Sequence, residues 1–202
     1  MLNVADGYVS IKAGGRLYEA APSFFNIAKI GEPEEIIKTF HDVGGYNVSH
    51  VDRFSACLKV LNACGIDDPK LTGGLVFSEA KKKTMILVGL MSIDDVGILA
   101  AHLMQHGICG SARQVDYAKE QSNTKALTEF NPYDYVIRGV ESLSLAYSEA
   151  WQLTMTQYVN LMRSKIKSME DRGEIKKEHT HADVQALLKQ REEILSRQKS
   201  KD

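Results

Sequence analysis

Cysteine is sparse in this 202-residue chain, with only Cys57, Cys64 and Cys109 present. Three thiols cannot all pair within one chain, so no dense disulfide framework holds the fold together. Charge of one sign is also missing: 25 Lys and Arg stand against 26 Asp and Glu, for a net charge of −1. A protein built to neutralise a phosphate backbone usually shows a basic excess or a basic face, so nucleic acid is not the expected partner. Long apolar runs are absent as well. The longest cluster, Met85 to Met91, is about a third of the ~20 residues that span a bilayer. The amino terminus, Met1-Leu2-Asn3-Val4-Ala5-Asp6, has neither the basic flank nor the apolar stretch of a signal peptide. Together these absences predict a chain with no membrane partner, at home in a reducing cytoplasm.

What is present suits an ordinary globular protein. Hydrophobic residues make up 44% and charged residues 25% of the chain, and a chain of this length buries a real core without staples. The patterning predicts a mainly α fold with a small N-terminal β-hairpin, of the α+β class. Four segments are expected: a β-hairpin plus helical domain over 1–110, a polar linker over 111–131, a small helical domain over 132–172, and a charged tail over 173–202 that is solvated or folds on a partner.

Tyr8-Val9-Ser10-Ile11-Lys12 alternates in character, Gly14-Gly15 follows, and Arg16-Leu17-Tyr18-Glu19 comes next. Two β-prone runs around a two-glycine turn read as a hairpin. After Pro22 the period lengthens. Pro33 suits a first helical position, Ile36, Ile37 and Phe40 form a stripe, and Gly44-Gly45 ends it. Val51, Phe54, Leu58 and Leu61 mark a second helix that stops at Gly65. Gly65 to Ser78 is assigned loop, with Leu75-Val76-Phe77 as a possible short strand. Glu79 to Met91 is assigned helix, with buried strand at Met85-Ile86-Leu87-Val88 as the alternative, because periodicity alone does not separate the two. Ser92-Ile93-Asp94-Asp95 starts a helix whose apolar face is Val96, Leu99, Ala100 and Leu103, and Gly107 is expected to close it.

Asn131-Pro132 opens the second helical group, with Val136, Val140 and Leu143 inward and Tyr147 a further candidate. Ser148 is expected to cap a short helix holding Ala150, Trp151 and Leu153. Thr156 is expected to cap a longer helix carrying Val159, Met162 and Ile166. In the tail, Val184, Leu187, Leu188, Ile194 and Leu195 make a thin amphipathic stripe.

No motif carries convincing catalytic or cofactor chemistry. His102 and His106 lie four apart on one helical face with Cys109 beyond. The tight ligand pairs of structural zinc sites are missing, however, and Cys57 and Cys64 fall on an apolar stripe where cysteine acts as a small hydrophobe. His41-Asp42 precedes Gly44-Gly45 and suits a helix C-terminus. His179 and His181 lie in a charged stretch and read as surface residues. The glycine pairs lack phosphate-loop or dinucleotide spacing, and no nucleophile elbow occurs. Lys81-Lys82-Lys83 has no interleaved aromatics to support base stacking. The short helices after Tyr133, Ser148 and Thr156 are punctuated like a helix–turn–helix unit, with Gln157, Asn160, Arg163 and Lys165 where base contacts would lie. Against that stand the balanced charge and the core-like Trp151 and Met155.

The stretch from Leu145 to Tyr158, Leu-Ala-Tyr-Ser-Glu-Ala-Trp-Gln-Leu-Thr-Met-Thr-Gln-Tyr, has a readable logic. Ser148 caps, Trp151 plugs a gap between helices, Leu153 locks the turn, and Thr154 or Thr156 caps the next helix near Gln157. This stretch resembles a pattern of the tail assembly chaperones of long-tailed bacteriophages. Met155 stands where that pattern often has proline, and Gln157 where it often has glutamate. The resemblance implies a non-enzymatic helper, with no cofactor or metal, that binds the tape-measure protein and tail-tube subunits in the host cytoplasm. It marks Ser148, Trp151, Leu153, Thr156, Tyr158 and Met162 as defining the partner-binding helical unit, and homo-oligomers are compatible with it. The rival classes are a virion structural protein, such as a minor tail or connector component, and a helix–turn–helix regulator.

Overall fold

Local hydrogen-bonding signals decide where most elements of this chain begin. A computed structural model describes residues 4–45, 47–110 and 128–174. A single 3-10 turn at Val4–Asp6 leads into the hairpin of β1 (Val9–Ala13) and β2 (Arg16–Ala20), paired antiparallel from Val9↔Ala20 to Ala13↔Arg16. Gly14 and Gly15 connect the strands at φ +54° and +77°, the doubly positive geometry of a tight primed turn.

Ser23 accepts from the Asn26 amide and starts α1 (Phe24–Ala28), and Pro33 is the first residue of α2 (Pro33–Gly44). Ser49 caps α3 (His50–Cys64), which ends at Gly65 in the left-handed region. Asp68 accepts from the Lys70 amide at 2.9 Å and starts the single turn α4 (Pro69–Thr72). Ser92 caps α5 (Ile93–Met104) by accepting from the Asp95 amide at 3.1 Å. Asn131 caps α6 (Pro132–Leu143), followed by α7 (Tyr147–Gln152) and α8 (Met155–Asp171). The fold is mainly helical with two small antiparallel sheets, as the α+β expectation had it. Among the described residues no helix is long and apolar enough to cross a membrane.

Four local expectations are corrected. Glu79 to Met91 is not helical: β4 (Lys83–Leu87) pairs antiparallel with β3 (Gly74–Ser78). Within Gly65 to Ser78, assigned loop, the chain forms α4, and the short strand offered at Leu75-Val76-Phe77 is present as β3. Gly73 and Gly89 explain the outcome. A Cβ on Gly73 would lie 2.1 Å from the Leu87 carbonyl oxygen, and one on Gly89 2.5 Å from that of Leu71. Backbones approach this closely only where side chains are absent. Second, Gly107 does not end α5. The chain widens into a π turn over Gln105–Cys109 and stops at Gly110, and Gly107 is buried against Ile27.

Third, Ala146 rather than Ser148 occupies the cap position of α7, and the Glu149 carboxylate accepts from the Ala146 amide at 3.0 Å. The left-handed Ser144 ends α6 early enough for the chain to turn helical at Tyr147. Fourth, Thr154 rather than Thr156 caps α8. Its hydroxyl oxygen accepts from the Gln157 amide at 3.2 Å, and the Gln157 side chain accepts from the Thr154 amide at 3.1 Å. This reciprocal capping box uses the alternative threonine.

By packing, the described residues fall into two units, 4–110 with 128–163, and 164–174. In the first, α5 lies along α3 with α2 against both, and α1 packs on α6 and α7. Phe24, Ile27, Ile36, Leu61, Leu103 and Met104 are fully enclosed at its centre. Helices α6, α7 and the first part of α8, expected as a small domain over 132–172, therefore share the core of the N-terminal helices. Their own apolar stripe is thin and is completed by α1: Phe24 stacks on Tyr135 at 5.7 Å and meets Tyr158 edge-on at 6.0 Å. In the second unit, Arg172 donates to Ser168 and to the Glu174 carboxylate near the end of α8. Residues 111–127 of the expected linker and 175–202 of the expected tail, with His179, His181 and the Val184–Leu195 stripe, lie outside the described residues.

Candidate functional site

Two neighbouring aromatics follow the Ser23 cap, and successive helical positions point about 100° apart. Phe24 therefore turns into the core while Phe25 is left at the surface, 49% exposed. On α7 the same geometry buries Ala150 and leaves Tyr147 51% exposed. Trp151, the single tryptophan of the chain, sits half-buried between them. Its ring meets Phe25 at 6.4 Å and Tyr147 at 6.2 Å, each at 85°, and lies 6.5 Å from Tyr133. These perpendicular arrangements suit ring quadrupoles and hold the rings as walls rather than a flat stack.

The result is an open apolar groove of about 570 Å³, lined by Phe25, Ala28 and Lys29 of α1 and by Tyr147, Ser148, Trp151 and Gln152 of α7. Lys29 closes one end. Its ammonium donates to Asn26 Oδ1 at 2.7 Å and lies 4.4 Å from the centre of the Phe25 ring, so a cation is fixed over an aromatic face. The two walls are tied together behind the groove, where the Phe24 amide donates to the Leu153 carbonyl at 2.9 Å and Ser23 bridges Thr154.

Of the residues singled out in the sequence, Ser148 and Trp151 line this groove. Leu153, Thr156, Tyr158 and Met162 do not: they face the core side. Tyr147, a candidate for an inward position, is a groove wall instead, and Ile166 is exposed. Phe25, Ala28 and Lys29 were not singled out. The signal that finds Phe25 is the Phe-Phe pair directly after a capping serine, since only one of two adjacent helical positions can be fully inward.

A histidine pair lies where α5 passes into the π turn. His102 on α5 and His106 in the π turn have ring centroids 4.5 Å apart. His106 Nδ1 is 2.8 Å from the Thr156 hydroxyl, and His102 Nε2 is buried with no hydrogen-bond partner among the described residues. Burial pushes both pKa values down, and for His106 the neighbouring His102 adds to it. No group of three or more His, Cys, Asp or Glu converges among the described residues as a metal site would need. Cys57 and Cys64 are buried free thiols, with Cys64 pushed up to about 12 by burial, whereas Cys109 is exposed. They behave as core hydrophobes.

A second, polar depression lies between α2 and α3, lined in part by Lys38, Asp42, Asp52 and Lys59. The Lys59 ammonium there holds the Glu35 carboxyl below its usual range. That is the opposite of the upward shift a carboxylic acid catalyst needs at neutral pH.

A family model described as a family of unknown function, DUF6246, matches residues 50–183. The chain belongs to that family. The span matched to DUF6246 contains Tyr133, Tyr147 and Trp151 but not the Phe25 wall of the groove. No curated protein and no solved structure matches the chain.

Proposed function

We propose that this DUF6246 member is a non-enzymatic assembly helper that works by binding another polypeptide. The specific form is a phage tail assembly chaperone, acting in the host cytoplasm on the tape-measure protein and tail-tube subunits. The observation that carries the proposal is the groove on Trp151. Three aromatic rings surround a half-buried tryptophan at the surface, a composition typical of the energetic centres of protein interfaces. An apolar client segment, held there reversibly, is kept from aggregating.

The geometry of α8 favours this over base reading by a recognition helix. Gln157, the first candidate for a base contact, is engaged in the capping box, and Met155, Thr156 and Tyr158 beside it are buried. The test is co-expression with the tape-measure and tail-tube proteins. Client solubility should rise with the wild-type chain and fall back with Trp151→Ala, and the clients should co-purify with the wild type only. Failure to co-purify with either client ends the proposal. A fixed copy number in purified particles would assign the chain to the virion instead.

A further inference from the structure

The aromatic groove carries one fixed charge, and it is positive. Among the described residues Lys29 is the only charged one that lines it. Its ammonium is held in place from two sides. Asn26 Nδ2 donates to the Ala21 carbonyl at 2.8 Å, which fixes the amide and directs its oxygen to Lys29 Nζ at 2.7 Å. The Phe25 ring lies against the same ammonium at 4.4 Å. A free lysine side chain loses much rotamer freedom when it engages a ligand, and here part of that loss already belongs to the unbound protein.

What this ammonium lacks is a carboxylate. The ion pairs of the described residues join Arg16 to Asp68, Lys59 to Glu35 and Arg172 to Glu174, and none includes Lys29. Glu149, the acid of α7, accepts from the Ala146 amide and does not line the groove. An ammonium has three donors, of which Asn26 takes one. Two remain for a ligand, and Lys29 is exposed. The groove itself is open along its length between α1 and α7. Enclosed pockets cover nearly all of a small ligand, whereas an open groove between helices suits an amphipathic polypeptide with its far side in water.

The geometry points to a client segment of defined chemistry. Its apolar face lies on Phe25, Tyr147 and Trp151, and the turn beyond presents an Asp or Glu side chain to Lys29. Lys29 is then the residue that sets specificity, selecting acid-flanked apolar segments and rejecting basic ones by like charge. The inference rests on the client-binding reading above and adds what the client must carry.

The test follows the emission of Trp151, which reports this groove alone because the chain has no other tryptophan. Two peptides with capped ends and no Trp or Tyr share one amphipathic sequence, with Leu and Phe at helical spacing. They differ only in a Glu or a Lys one turn further on. Binding should shift the emission to the blue as water leaves the ring. Wild type should bind the Glu peptide about tenfold more tightly than the Lys peptide. Lys29→Met, which keeps an apolar stem, should bind both alike, and Lys29→Glu should reverse the order. Lys38→Glu makes the same charge change in the polar depression between α2 and α3 and should keep the wild-type order.

Equal affinities for the two peptides in wild type overturn the inference and leave the client-binding reading standing. A preference that survives Lys29→Met overturns it in the same way. No shift with either peptide up to about 1 mM sinks both together. Emission that responds to neither peptide but changes when the protein alone is concentrated, or when phosphatidylcholine vesicles are added, assigns the groove to a second copy or to lipid, and also overturns it.

Discussion

Tyr18 donates its phenolic hydrogen to the Asp68 carboxylate at 2.8 Å, joining strand β2 to the cap of α4 across 50 residues of sequence. The same carboxylate accepts from the Lys70 amide and lies 3.8 Å from the Arg16 guanidinium. The Tyr18 hydrogen bond is the main cause holding the Asp68 carboxyl below its usual range. Tyr18→Phe removes this hydrogen bond and should lower stability modestly. Asp68→Ala should lower it more, because it removes the helix cap as well. Urea unfolding of the two variants checks the order.

The Thr154 hydroxyl is worth more than an ordinary surface cap. Besides accepting from Gln157, it donates to the Asp6 carbonyl at 2.9 Å, and its side chain is fully buried. Thr154→Ala should lose about 2 kcal/mol, the upper end for a helix cap, whereas Ser148→Ala, at an exposed position outside the cap, should stay within about 0.5 kcal/mol of wild type. Equal losses in the two variants would contradict the placement of the cap.

Stability should fall on mild acidification. Both His102 and His106 have pKa values lowered from 6.5 by burial, so the unfolded chain takes up protons at a higher pH than the folded one. The stabilisation tied to neutral histidines is complete above about pH 6.5 and is lost as pH falls below it toward the folded-state values. Thermal melts between about pH 7.5 and pH 5 should show the decline, and His106→Gln should flatten it. A melting temperature constant over that range would refute the burial of the pair.

Thiol chemistry gives a further check. Cys109 is exposed whereas Cys57 and Cys64 are buried, and burial raises the pKa of the latter two. A disulfide reagent should titrate one thiol in the native protein and the other two only on unfolding.

Much of this architecture is legible in the chain because short-range chemistry decides it. Gly14-Gly15 specifies its turn, and Ser92 and Asn131 specify helix starts through side-chain oxygens that need only the next few amides. The β3–β4 ribbon is the instructive exception. Met85-Ile86-Leu87-Val88 shows no alternation, since the outward residues of β4 are as apolar as the inward ones, and period is the very signal that separates strand from helix. What decided the matter was the contact of Gly73 and Gly89, which are near in space and 16 positions apart in sequence. Half of the groove was legible in the same way. Trp151 stands out as the lone tryptophan, but its partner Phe25 comes from a helix more than a hundred residues earlier, and nothing local announces the meeting.

The cross-tie between residues 23–24 and 153–154 also governs how the protein can be dissected. A fragment trimmed to positions 50–183, the limits that sequence kinship suggests, would lack α1 and with it Phe24 and Ile27, around which α3 and α6 close. Such a piece would be left with an open hole at its middle, so for this chain the unit of ancestry and the unit of folding are different stretches of polypeptide.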